Sequence, residues 1–169
     1  MTNIVVILIL VISIFTDFRN RKILNIVTLP AILGAFLYHS ITGGIDGFLY
    51  SGQGFLVGLG LLFIPFILGG IGAGDVKLLA AVGAWKGALF IFHTGIYAGL
   101  LGGLIALVLL LKRKELGLTL KSMLFSVLFL KDTKGSLLVD NQVKNTVSIP
   151  YAIPIALGAL VTFLMGTTL

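Results

Sequence analysis

Five apolar runs, at residues 2–16, 23–41, 48–71, 76–111 and 149–167, are separated by short stretches that hold nearly all the charge. A helix needs about 20 apolar residues to cross the hydrocarbon core of a bilayer. The fourth run is long enough for two passes if a tight turn falls inside it. Hydrophobic residues make up 58% of the 169-residue chain and charged ones 11%, and the mean hydropathy of +1.15 lies outside the range of soluble globular domains. The pattern predicts an all-α, polytopic integral membrane helix bundle. About six transmembrane helices are expected, near 2–17, 23–41, 48–70, 75–85, 88–111 and 149–167, in a single membrane-embedded domain spanning 1–169. The turn inside the fourth run is placed at Trp85-Lys86-Gly87, because an interfacial aromatic, a charge and a glycine are costly in mid-membrane and natural at its boundary. His93-Thr94-Gly95 is the alternative.

Residues 1–16, MTNIVVILILVISIFT, lack a basic start and a small-residue cleavage site, so they read as a retained first helix rather than a secretory signal. The spacings Gly54-x-x-x-Gly58 and Gly95-x-x-x-Gly99 allow close helix packing. Residues 116–130, apolar and flanked by lysines, fit a helix lying in the membrane interface within a loop at 112–148, and equally a seventh partial pass or a helix packed on the bundle.

With no cysteine in the chain, disulfides, thiolate metal sites and a cysteine nucleophile are excluded. His39 and His93 are far apart in sequence and read as interfacial or packed residues, so neither a metal nor another cofactor is expected. The net charge of +6 does not indicate nucleic acid here, because the basic residues lie in loops between apolar runs, where they set orientation. Loops at 17–22, 70–77 and 112–148 together hold Arg19, Arg21, Lys22, Lys77, Lys112, Arg113, Lys114, Lys121, Lys131, Lys134 and Lys144, leaving Lys86 alone on the other side. Cytoplasmic loops carry the Lys and Arg excess. That rule places Asp17 and Asp75 toward the cytoplasm and both termini outside.

Of the six carboxylates, Asp46, Glu115, Asp132 and Asp140 fall in expected loops. Asp17 ends the first apolar run and sits within the membrane margin. Asp75 follows Gly72-Ala73-Gly74 at the start of a short helix. An ionisable residue at such depth is a functional candidate. Two carboxylates meeting where water is sparse cannot both ionise cheaply, so the pair would share a proton, as aspartyl proteolysis requires. Glycines ahead of Asp75 let the backbone turn sharply and a substrate strand come close. Equally, Asp17 could cap the second helix or pair with Arg19 or Arg21, and Asp75 could cap its own helix beside Lys77. Residue chemistry and position leave a catalytic pair and two interfacial caps level.

Gly72-Ala73-Gly74-Asp75, followed by Val76-Lys77-Leu78-Leu79-Ala80-Ala81 and Gly83-Ala84-Trp85, resembles the GxGD motif of the type IV prepilin peptidases, which are membrane aspartyl proteases. Asp17-Phe-Arg-Asn-Arg-Lys-Ile23-Leu24-Asn25, continuing to Thr28-Leu29-Pro30, is similar to the family's first motif, with Leu24 in place of the usual proline. Ile149-Pro150-Tyr151-Ala152-Ile153-Pro154 is similar to the start of the family's last helix. The resemblance implies Asp17 and Asp75 as the catalytic pair and Gly72 and Gly74 as shaping the second motif. It assigns Lys77 an electrostatic or anchoring role, and matches Arg19 and Asn25 to family positions where helix capping is the simpler account.

The resemblance also implies the short form of the family. Larger members carry a cytoplasmic domain with paired CxxC motifs linked to N-methylation, which a cysteine-free chain would lack. The implied partners are the lipid bilayer and pilin-like precursors, including archaellins, with a short basic leader ahead of an apolar helix. A basic cytoplasmic face would not attract a basic leader, so recognition would rest on the apolar helix and on an acid near the cut. The presenilin and signal-peptide-peptidase group also uses GxGD, but pairs it with Tyr-Asp and Pro-Ala-Leu. Here Thr16 precedes Asp17, and no Pro-Ala-Leu occurs. The competing reading from another class is a non-enzymatic transport or assembly component using Asp17 and Asp75 as proton-relay or capping groups. Oligomeric state is not legible.

Overall fold

The computed structural model describes residues 1–20, 23–67, 70–113 and 151–166. Among them all regular structure is helical: α1 (Thr2–Asn20), α2 (Asn25–Ile67), α3 (Ala73–Lys86), α4 (Ala88–Arg113) and α5 (Ala152–Leu164). Met1–Gly103 and Pro150–Leu169 form one compact unit, to which everything below refers. Leu104–Ile149 form another, described only along the end of α4. The expected interfacial helix at 116–130 lies outside the described residues, as do Arg21 and Lys22.

Among the described residues, three segments are long and apolar enough to cross a membrane: Thr2–Arg19, Asn25–Ile67 and Ala88–Ile105. The 43 residues of α2 would extend about 64 Å as one rod, twice the ~30 Å of a bilayer core. The chain instead reverses at Gly44, whose φ of 60° and ψ of −136° are not helical and suit a residue without Cβ. Phe36 packs against Phe48 and Phe55 across this bend, with ring centroids 5.2 and 6.0 Å apart. The expected loop between the second and third helices is thus reduced to a bend centred on Gly44.

α3 lies in the cleft between the two limbs of α2, with which it shares an extensive interface. It runs parallel to the first limb: Lys77 meets Asn25, and further along the Trp85 Nε1–H donates to the Ala31 carbonyl at 2.8 Å. It runs antiparallel to the second limb, where Gly83 meets Gly54 and Leu79 meets Gly58 backbone to backbone. Asp75, Val76 and every residue from Leu78 to Trp85 are buried. The Gly54-x-x-x-Gly58 spacing therefore does form a close helix contact. Gly95-x-x-x-Gly99 does not, because a Cβ on Gly95 would meet the Leu61 side chain and one on Gly99 would meet nothing within 4 Å.

The turn after α3 falls where the aromatic, charge and glycine predicted it, with α3 ending at Lys86 and Gly87 at φ 84°. A helix leaves its last four carbonyls without intrahelical partners, and in an apolar setting each must be satisfied. Here the Gly87 amide donates to the Gly83 carbonyl, Ser51 Oγ to Ala84 at 3.0 Å, His39 Nε2 to Trp85 at 3.2 Å and Tyr50 Oη to Lys86 at 2.6 Å. The three side chains come from α2, so α2 caps the helix that it encloses. His39 must carry its proton on Nε2 to do this.

α1 is antiparallel to α3. Lys86 Nζ donates to Asn3 Oδ1 at 2.8 Å, which places the start of α1 beside the end of α3 and the end of α1 beside its start. The inward face of α1 is Val6, Ile9, Leu10, Ser13 and Asp17, while Ile4, Ile7, Leu8, Val11, Phe15 and Phe18 are exposed, as suits a lipid-facing surface. α5 is antiparallel to α4: Phe90 packs on Phe163 at 4.8 Å and Thr94 Oγ1 donates to Thr162 Oγ1 at 3.2 Å. Lys86 also lies over the rings of Phe90 and Phe163, 5.1 Å from each centroid.

Candidate active site

Antiparallel packing of α1 on α3 brings the two candidate carboxylates to one end of the bundle. Asp17 is 5% exposed and Asp75 9%, so both are buried although each stands within two residues of a basic side chain in sequence. They are close enough for their charges to repel one another.

Asp75 is the third residue of α3, and its Oδ2 accepts the Gly72 N–H at 3.2 Å, an acidic residue reaching back to the helix start as in a capping box. That much agrees with a capping role. Capping uses one oxygen, however, and Asp75 Oδ1 is buried with no hydrogen-bond partner among the described residues. A buried carboxylate oxygen left unpaired is costly, and capping does not explain it.

Among the described residues, Asp17 makes no hydrogen bond to α2 and no ion pair with Arg19. Its Oδ2 accepts the Ala152 N–H at 3.2 Å, an amide 135 positions away in the first turn of α5. That turn has no side-chain cap of its own, so α1 supplies one. Each carboxylate thus sits at the N-terminus of a different helix, where orphan N–H groups and the helix dipole favour negative charge.

The remaining candidate residues divide. Lys77 Nζ donates to Asn25 Oδ1 at 3.0 Å, so these two are brought together at the mouth of the site, and the lysine is engaged by an amide rather than by a carboxylate. Arg19 is exposed, one turn or less beyond Asp17 on α1. A Cβ on Gly72 would lie 3.1 Å from Asp75 Oδ2, and one on Gly74 would lie 2.9 Å from the Ile23 Cβ. Gly74 therefore leaves room for the connection between α1 and α2, while a Cβ at 72 would press on the Asp75 carboxylate by a few tenths of an ångström. The space beside Gly74 is filled by Ile23.

Two features of this end were not assigned from sequence. The start of α5 borders the site through both Tyr151 and Ala152, and Tyr151 lies within electrostatic range of Asp75. The segment Ile149–Pro154 carried the signal, as the late proline-bearing stretch, without indicating which atoms would reach the carboxylates. Ser13, one turn before Asp17 on the same face of α1, and Thr28, near the start of α2, are fully buried hydroxyls without partners among the described residues. Nothing in an otherwise apolar helix marks such residues as inward-facing.

An all-helical membrane protein with two buried carboxylates drawn together from separate helices is the class that fold and site define. A family model described as the type IV leader peptidase family matches residues 4–107, a span that includes α1 to α3 and both aspartates. The chain belongs to that family of peptidases. No curated protein and no solved structure matches it.

Proposed function

We propose that this chain is an aspartic endopeptidase that removes the leader from type IV prepilin-like precursors at the cytoplasmic face of the cell membrane, with Asp17 and Asp75 as its catalytic pair. The observation that carries the reading is the burial of both carboxylates at one end of the bundle, within electrostatic range of one another, with Asp75 Oδ1 unpartnered among the described residues. Two such groups hold one proton between them. The ionised carboxylate takes a proton from water as its oxygen attacks the scissile carbonyl carbon, while the protonated one donates a hydrogen bond to the carbonyl oxygen. Collapse of the tetrahedral intermediate breaks the C–N bond, and the proton passes to the leaving amine. Both oxygens named Oδ2 are held by helix amides, which fixes the carboxylates before substrate arrives. Gly72, Gly74, Lys77, Arg19 and Asn25 shape or border the site.

The alternating direction of the helical segments supports six passes with both termini outside. Among the described basic residues, Arg19 and Lys77 lie at the end that holds the aspartates and Lys86 at the other, as the rule for cytoplasmic loops expects. Absence of cysteine from the chain supports a peptidase without the methyltransferase activity. Substrates would be pilin-like precursors with an apolar helix behind a short leader. The test is co-expression with a precursor, followed by the mobility shift on leader removal: Asp17→Asn and Asp75→Asn should each leave the precursor uncut while still inserting in the membrane. Full cleavage by either variant overturns the assignment. Asp→Glu changes separate it from a proton relay, which tolerates the longer acid, whereas peptidase geometry does not.

A further inference from the structure

We propose that Tyr151 is a positioning residue for this site: its ring, seated against α4 at Gly102, holds the first turn of α5 so that the Ala152 amide stays on Asp17. The inference rests on the two-aspartate reading above.

The Ala152 N–H is the hydrogen-bond donor that reaches Asp17, and a backbone donor can be aimed only by whatever places its helix. Further along α5 the placement is tight. A Cβ on Gly158 would come within 2.7 Å of the Thr94 carbonyl oxygen and 2.8 Å of the Ala98 amide, so the body of α5 lies on α4 with no spare room. In the first turn Ala152, Pro154 and Ile155 are buried, and the N-cap residue offers no side-chain cap of its own. That N-cap residue is Tyr151, half-buried, directly before Ala152. A Cβ on Gly102 would lie 2.7–2.8 Å from the ring edge and hydroxyl of Tyr151, so the ring occupies the place where a side chain at 102 would stand.

The ring carries this contact more than the hydroxyl does. Tyr151 Oη meets the Ala98 carbonyl only at 3.5 Å, at the long limit for a hydrogen bond, and that carbonyl lies inside a helix with its own amide donor four residues on. Tyr151→Phe should therefore keep the wedge, and Tyr151→Ala should lose it. Displacement of a positioned group by about 1 Å lowers turnover on the order of a hundredfold.

The experiment measures precursor cleavage by the full-length protein in detergent or vesicles, with active sites counted by a tight-binding hydroxyl-containing peptide isostere. Expected are kcat per titrated site within about twofold of wild type for Tyr151→Phe, and a loss of about 10- to 100-fold for Tyr151→Ala with KM little changed. Gly102→Val, which leaves Tyr151 in the chain but pushes its ring out, should lose turnover in the same way, and it stands in if Tyr151→Ala does not fold. If the variants merely have fewer titratable sites with normal kcat at each, Tyr151 is only structural and the proposal is overturned. A Tyr151→Phe loss as large as that of Tyr151→Ala also overturns it, in favour of the hydroxyl. Asp17→Asn is assayed alongside: if it cleaves, the two-aspartate reading falls and this inference with it, whereas an inactive Asp17→Asn with an unaffected Tyr151→Ala defeats this inference alone.

Discussion

Gly58→Ala tests whether the backbone contact between α2 and α3 sets the position of Asp75. The added Cβ would lie 2.6 Å from the Leu79 carbonyl oxygen and 2.8 Å from the Ala80 Cα, where ordinary contact begins at 3.4 Å. Both neighbours are backbone, so no rotamer change relieves the clash, and the two helices must part by about 0.8 Å at this level. Asp75 is one helical turn from Leu79, so it shifts by a comparable amount unless α3 tilts to spare it. Overpacking of this kind costs about 1–3 kcal/mol of stability, and displacing a catalytic group by nearly 1 Å lowers turnover by about 10- to 100-fold. Gly54→Ala should be more severe, since its Cβ would overlap the Gly83 carbonyl group. Gly60→Ala, on the same helix with nothing within 4 Å of the added carbon, is the matched control. The assay is precursor cleavage per active site together with thermal unfolding in detergent. Gly58→Ala with the stability and turnover of Gly60→Ala would refute the reasoning, because the contact would then be too soft to position anything.

Ser51→Ala removes the hydroxyl that caps the Ala84 carbonyl at the buried end of α3. The cost should be about 1–3 kcal/mol, read as a lower unfolding temperature, and an unchanged temperature would mean the carbonyl finds another donor. Lys77→Met breaks the 3.0 Å hydrogen bond to Asn25 at the margin of the site, the one polar contact it makes among the described residues. A loss below about 1 kcal/mol and cleavage within about threefold of wild type are expected. A drop of tenfold or more in kcat would show instead that the ammonium group acts on the carboxylates.

How far the site could be read from the chain differs from residue to residue. Asp75 stood out because a charge directly after glycines, ahead of an apolar run, is costly unless used. Asp17 stood out because it closes an apolar run early. Their meeting was expected only through resemblance, since two interfacial caps would place the same residues at the same depth. In the structure each carboxylate serves a helix N-terminus, and Asp75 retains a buried oxygen that capping leaves unused. The partner of Asp17 was beyond reach, being a main-chain amide of Ala152, which has no signature in the side-chain sequence. Lys77 and Asn25 were both candidates, but nothing in their positions indicated that they would bond to each other.

The sequence by itself determined the helical class, the placement of the long apolar segments, and the turn at Lys86-Gly87. These follow from hydropathy along the chain and from the cost of leaving a charge or an unpaired backbone group in hydrocarbon. It did not determine which face of each helix looks inward. Helices apolar on every side carry no amphipathic stripe to mark a core, and a lipid-facing leucine is chemically no different from a buried one. Tertiary packing alone decided that Val6, Leu10, Ser13 and Asp17 face the interior while Ile7, Val11, Phe15 and Phe18 do not. It also decided that Gly54 and Gly58, rather than Gly95 and Gly99, let two backbones touch, because close approach depends on the surface opposite each glycine, and that surface belongs to residues distant in the chain.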